Sequence, residues 1–203
     1  MLIMRTQASR GLTLIELIVT VTIVSVLLAM AVPSAAVWIR NTQIRNVATS
    51  LLAGVQRARA EAIRRNEPVQ FSLVSLSNVA VMDNSCAVSQ SGASWVVSLD
   101  SPEGKCAEPV SETVSPRILD KQAGGASAEK VSVAGLNAAA GDASLLQFDG
   151  FGRPVGLNSI AVISVDNESP GDDYRALRIV IGSGGTTRLC EPKVTAASDP
   201  RIC

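Results

Sequence analysis

The chain contains no histidine in 203 residues. Zinc sites and thiol–imidazole catalysis therefore lose their usual ligand and base. Its four cysteines, Cys86, Cys106, Cys190 and Cys203, form no CxxC pair. Phosphate-loop chemistry is missing too: Gly182-Ser183-Gly184-Gly185 is followed by no Lys-Ser/Thr and opens no helical pattern, so it predicts a strand-to-strand turn. Asp172-Asp173 is a carboxylate pair without a third ligand or an acid–base partner, and it reads as a solvated turn. With no catalytic constellation, the expectation is a protein that is not an enzyme and holds no cofactor and no metal.

An excess of one charge is also absent, since 18 Lys/Arg balance 18 Asp/Glu. The balance is uneven along the chain. Arg40, Arg45, Arg57, Arg59, Arg64 and Arg65 stand against Glu61 in one stretch, whereas from Asn66 onward ten basic residues meet sixteen acidic ones. An acidic C-terminal region argues against dominant nucleic-acid binding, which rests on neutralising phosphates.

What the chain does have is a long apolar run. From Leu12 to Ile39 the one ionisable side chain is Glu16. About 20 such residues in a helix cross a bilayer, so a spanning segment is predicted. An ionised carboxylate within hydrocarbon costs on the order of 2.5–3.5 kcal/mol, so Glu16 needs a partner, unless it sits at the membrane edge and reaches headgroups. Pro33 removes one main-chain hydrogen bond, which predicts a kink or an unwound turn near residues 29–33. An ordinary secretory signal has a short apolar region before its cleavage site; here the apolar segment follows a basic stretch, 1–11, that ends in glycine.

Gly11-Leu12-Thr13-Leu14-Ile15-Glu16-Leu17 resembles the processing site of type IV pilins and type II secretion pseudopilins. The resemblance implies cleavage after Gly11 by a prepilin peptidase and N-methylation of Leu12. It makes Glu16 the charge that meets the N-terminal amine of a neighbouring subunit and sets its register. It also makes Pro33 the place where the helix melts on assembly.

Beyond the run, Ile44, Val47, Leu51, Val55, Ala58 and Ala62, with Leu52 alongside, form one apolar stripe of an amphipathic helix ending at Glu67-Pro68. The arginines lie largely off that stripe, on a solvated face or against acidic neighbours or lipid. Residues 69–76, 79–82, 94–99, 131–133, 160–165 and 176–181 read as strands, and 145–148 with 153–156 as a hairpin turning on Asp149-Gly150. Residues 138–141 read as a mobile loop. The fold class is α+β: a long N-terminal helix packed on an antiparallel sheet or sandwich, as in pilins. If the cysteines lie outside the cytoplasm they read as two disulfides, with three connectivities open and sequence proximity favouring Cys86–Cys106 and Cys190–Cys203.

Phe148-Asp149-Gly150-Phe151-Gly152-Arg153 and the tail from Arg188 to Cys203 are similar to the FimU/FimT/GspH group of minor pilins and pseudopilins, the terminal Cys-to-Cys loop being most like FimU. This implies a leader at 1–11, a transmembrane and assembly helix at 12–39, an amphipathic helix at 40–66 and a periplasmic head at 67–203. It implies a single-pass inner-membrane protein that moves to a pilus tip, with other minor pilins, the major pilin, the prepilin peptidase and the assembly platform as partners. A DNA-uptake relative would carry a Gly-Arg-x-Arg motif, from which Gly185-Thr186-Thr187-Arg188 departs. DNA is thus not the favoured partner; Arg175, Arg178, Arg188, Lys193 and Arg201 are the residues that would cluster to contact it.

Overall fold

A stripe of apolar side chains at spacings of three and four is buried as a unit only if its helix is unbroken, and α1 runs without interruption over Leu14–Arg65. A computed structural model describes residues 13–203, which divide after Trp38 into two compact units. Gly11 and Leu12 lie outside the described residues. The unwound turn expected near residues 29–33 is not there: α1 is helical through position 33. One missing N–H costs one bond of a ladder that helix on both sides supports.

In the second unit the stripe is sealed, with Ile44, Val47, Leu51, Val55, Ala58 and Ala62 all between 0 and 3% exposed. Leu52 packs beside it. Asn66, in the left-handed region at φ 53°, closes the helix one residue before Glu67.

Ten strands follow: β1 (Val69–Ser75), β2 (Ala87–Val88), β3 (Ser94–Ser98), β4 (Ile118–Gln122), β5 (Val131–Leu136), β6 (Leu145–Phe148), β7 (Pro154–Val155), β8 (Val162–Asn167), β9 (Leu177–Ile181) and β10 (Thr187–Cys190). They form two antiparallel sheets. The first has the order β4-β3-β1-β6-β7, with β2 on the end of β1, and the second the order β10-β9-β8-β5. β8 alternates buried and half-buried residues, the mark of a sheet with one face on the core. That core joins the stripe of α1 to Phe71, Leu73, Trp95, Leu146 and Phe148 of the first sheet and Ile163, Val165, Ile179 and Ile181 of the second. Val74, Val96 and Ile118 fall in a smaller, separate cluster with Cys86 and Cys106, which are bonded to each other.

Several local readings are corrected. Residues 79–82 form a turn rather than a strand, because Asn78 Oδ1 accepts from Ala80 N–H at 3.0 Å and the Asn78 carbonyl from Val81 N–H at 3.1 Å. Residues 138–141 are a bonded turn: Asn137 Oδ1 accepts from the main-chain N–H groups of Ala139 and Gly141, each at 2.9 Å. The 145–156 hairpin forms, with Gln147 opposite Val155. The positive φ of its connecting turn, however, is at Gly152 (74°) and not in the Asp149-Gly150 step. Gly150 is small for another reason, since a Cβ there would lie 2.6 Å from Asn66 Oδ1.

Candidate assembly site and the head that carries it

The described part of the first unit is a helix. Its described apolar side chains between Leu14 and Val32 are exposed, and its most apolar window has a mean hydropathy of 2.5 with none of it buried. The polar groups within it are nearly all satisfied internally. Thr13 Oγ1 accepts from the Glu16 main-chain N–H at 3.3 Å, a side-chain cap on the first turn. Thr20 Oγ1 donates to the Leu17 carbonyl at 2.9 Å, Thr22 Oγ1 to that of Val19 at 2.8 Å, and Ser25 Oγ to that of Val21 at 2.7 Å. A helix whose hydroxyls bond back to its own carbonyls can enter a medium without water. The Glu16 carboxylate, by contrast, is exposed, and no described residue pairs it.

The second unit treats its own helical acid in the opposite way. Glu61 is 5% exposed. Its Oε2 accepts from Arg64 Nη2 at 2.7 Å and Arg65 Nε at 3.1 Å, and its Oε1 lies 3.2 Å from Arg57 Nη2. Burial alone would raise its pKa; the hydrogen bonds from Arg64 and Arg65, with the charge of Arg57, outweigh burial and hold the carboxyl below its ordinary value. Arg65 also pairs with Glu112, and Arg57 Nε lies 3.6 Å from Asp120. The acidic neighbours of this arginine-rich face are thus, in part, its own chain's carboxylates.

Two residues of α1 that periodicity does not single out fix how the head closes. Gly54 is buried, and a Cβ there would sit 2.6 Å from the Trp95 ring and 2.8 Å from that of Phe71, so glycine is what lets α1 approach β1 and β3. Arg59 donates from Nε to the Gly152 carbonyl at 3.1 Å and from Nη2 to the Gly184 carbonyl at 3.2 Å. It thereby ties the β6–β7 turn to the β9–β10 turn. Those turns touch: a Cβ on Gly185 would lie 2.0 Å from the Gly152 oxygen. At the tip of the first turn Asp149 Oδ1 accepts from the main-chain N–H groups of Phe151 (3.0 Å) and Arg153 (2.9 Å). The Phe151 ring is exposed, with the Arg153 guanidinium carbon 5.2 Å from its centre.

The C-terminal tail is stapled back on itself. Cys190 is bonded to Cys203, Glu191 N–H donates to the Arg201 carbonyl at 2.8 Å, and Arg188 Nη2 donates to the Cys203 carbonyl at 2.9 Å. The basic residues considered for DNA do not gather into one free patch. Arg201 chelates Asp199, with Nη2 2.7 Å from Oδ2, and this bond brings the Asp199 pKa down to about 2. Lys193 Nζ donates to the main-chain oxygens of Gly171 and Tyr174. Arg178 faces Cys190 across the β9–β10 pair, its Nε buried without a described partner. Arg175 lies on the turn beside Asn41, whose Oδ1 accepts from its main-chain N–H at 2.7 Å.

Comparison with known proteins follows the same division. A model of the prokaryotic N-terminal methylation motif matches residues 6–32, and the model described as type II transport protein GspH matches residues 47–185. No curated protein matches the chain. Two crystal structures of the Pseudomonas aeruginosa PAO1 type IV minor pilin FimU, in space groups P21 and P65, align at 17% and 16% identity. They cover 75% and 73% of this chain and 94% and 97% of their own, with TM-scores of 0.46 and 0.44. A family model that takes in well over half the chain, preceded by a methylation motif on an exposed apolar helix, is decisive: the chain belongs to the GspH family of type II transport proteins, structural subunits of the pilin type.

Proposed function

We propose that the chain is a minor pilin of a type IV pilus that joins a tip or priming complex and helps to start the fibre. A prepilin peptidase cuts after Gly11, Leu12 is methylated, and α1 then holds the subunit in the inner membrane with its head in the periplasm. Glu16 meets the N-terminal amine of a neighbouring subunit as the helix leaves the lipid, and Pro33 marks where that helix yields. Other minor pilins, the major pilin and the assembly platform are the partners. The observation that carries this reading is the contrast within α1: a first part apolar and exposed all round, and a second part buried along one stripe of a β head. Such a helix is complete only when something outside the chain covers its first part, lipid before assembly and other subunits after it. The self-engaged Arg188, Lys193 and Arg201 favour a protein partner over DNA.

A second reading has its own support, since the matching family model is described by type II transport. On that reading the same helix enters a secretion pseudopilus. Deleting the gene and scoring surface pili, secreted hydrolases and transformation in one strain separates the two. Loss of surface pili with secretion intact is expected; loss of secretion with pili retained would overturn the pilus assignment in favour of the pseudopilus. Pili retained with DNA uptake lost would replace both with a DNA-binding role.

A further inference from the structure

The chain has two tryptophans, and they are placed in opposite ways. Trp95 is buried in the head core, where its Nε1 donates to Ser50 Oγ at 3.0 Å. Trp38 is 69% exposed on α1 and belongs to no core cluster of the chain. It comes at the end of the exposed apolar run, two residues before Arg40. An indole has a large apolar body and one N–H donor, and at the end of a membrane span it settles at the boundary between lipid chains and water.

The spacing to the other end of the run is informative. Glu16 and Trp38 lie on one uninterrupted helix. At 1.5 Å of rise per residue their α-carbons are about 33 Å apart along its axis, against a hydrocarbon layer of about 30 Å. Between them the hydroxyls of Thr20, Thr22 and Ser25 are bonded to helix carbonyls, which lowers their demand for water. The two residues that prefer an aqueous boundary are thus separated by one bilayer thickness.

We propose that Trp38 is an interfacial anchor that holds this chain at one depth in a phospholipid bilayer. Its indole lies at the headgroup level on the side of the head, and the length of the helix places Glu16 in the opposite headgroup layer. The inference rests on the reading of the first part of α1 as membrane-spanning, and it adds a ligand, the headgroup layer, and a residue that reads it. Glu16 is then hydrated while the subunit waits in the membrane. Sliding the helix toward the head by one turn would carry the carboxylate into hydrocarbon and lift the indole out of the boundary. The same two residues thus resist displacement until another subunit supplies a charge.

The test uses the full chain in vesicles of phosphatidylethanolamine and phosphatidylglycerol containing a phosphatidylcholine brominated either near the headgroup or near the chain ends. Flotation first reports whether the protein inserts. Subtracting the emission of Trp38→Phe from that of the wild type isolates Trp38, because Trp95 is present in both. Shallow bromines are expected to quench Trp38 at least about twofold more than deep ones. A second measurement reads the other end. All four native cysteines are paired, so Glu16→Cys introduces a lone thiol, and Leu27→Cys does so at mid-span. With a membrane-impermeant maleimide on both faces, position 16 should react at least about tenfold faster than position 27. A protein that does not float overturns the spanning reading and the anchor with it. A protein that floats but shows equal or stronger deep quenching, no quenching, or equal labelling at the two positions overturns the anchor alone.

Discussion

The two parts of α1 are continuous in backbone and opposite in chemistry, and each contains one acid. In the first part the described apolar residues from Leu14 to Val32 are exposed, and Glu16 has no described partner. In the second, one stripe is sealed against two sheets and Glu61 is held by three arginines. The difference is not one of helix propensity, since aliphatic residues fill both. It comes from burial: the second part has its stripe enclosed by the chain's own head, whereas the first part is apolar and exposed. A buried and fully paired carboxylate is a finished structural joint, whereas an unpaired one on an apolar helix awaits a partner.

The largest expected effect separates the two parts by truncating one leucine in each. Leu51→Ala should lower head stability by about 2–5 kcal/mol, read from denaturant melts of the full chain in detergent. Leu27→Ala should leave that transition within about 0.5 kcal/mol, because the side chain is exposed. Equal losses would mean that the first part contributes to the fold after all. Next comes Gly54→Ala, which intrinsic helix preference would favour by about 1 kcal/mol. Overlap with the Trp95 and Phe71 rings should reverse the sign and leave a net loss of about 1–3 kcal/mol. A gain in stability would show that the helix can back away from the sheet at little cost.

The acids give the smaller effects. Glu16→Val should insert and melt like the wild type but enter fibres about tenfold less, equivalent to about 1.4 kcal/mol, by immunoblot of sheared filaments. Normal incorporation would remove Glu16 from the assembly mechanism. Glu61 answers to pH. Its folded pKa is depressed, so its contribution to stability is complete above the ordinary value of 4.5 and is lost as the pH falls through the lower folded value. Glu61→Gln should cost on the order of 1 kcal/mol of stability above pH 4.5, a difference that vanishes below the folded value, and so leave a shallower slope of stability against pH. An unchanged slope would assign acid sensitivity to the exposed carboxylates instead.

The helix stripe and most of the strands could be read in the sequence because they obey the periods of 3.6 and 2. What escaped was set by contacts distant in sequence. β4 shows only Ile118 and Leu119 before Asp120-Lys121-Gln122, too short an apolar signal for an edge strand that gains its meaning from pairing with β3. Gly54 carries no periodic signal, yet its missing side chain admits two rings from other strands. Residues 79–82 carried strand propensity, but the Asn78 side chain captured the backbone first. Glu61 was one charge among arginines, and nothing local told that it would be buried. At the candidate site, Glu16 was conspicuous because a lone acid in a long apolar run needs no tertiary context to be noticed, whereas the exposure of Trp38 becomes informative only once Trp95 is seen to be enclosed.

The Arg59 brace has a mechanical consequence. One guanidinium on α1 grips the carbonyls of Gly152 and Gly184, at the turns of two different sheets, and the turns themselves are in contact. A pull along α1 therefore reaches both sheets through this one residue as well as along the sealed stripe, so tension on the helix is shared between them instead of peeling one away before the other.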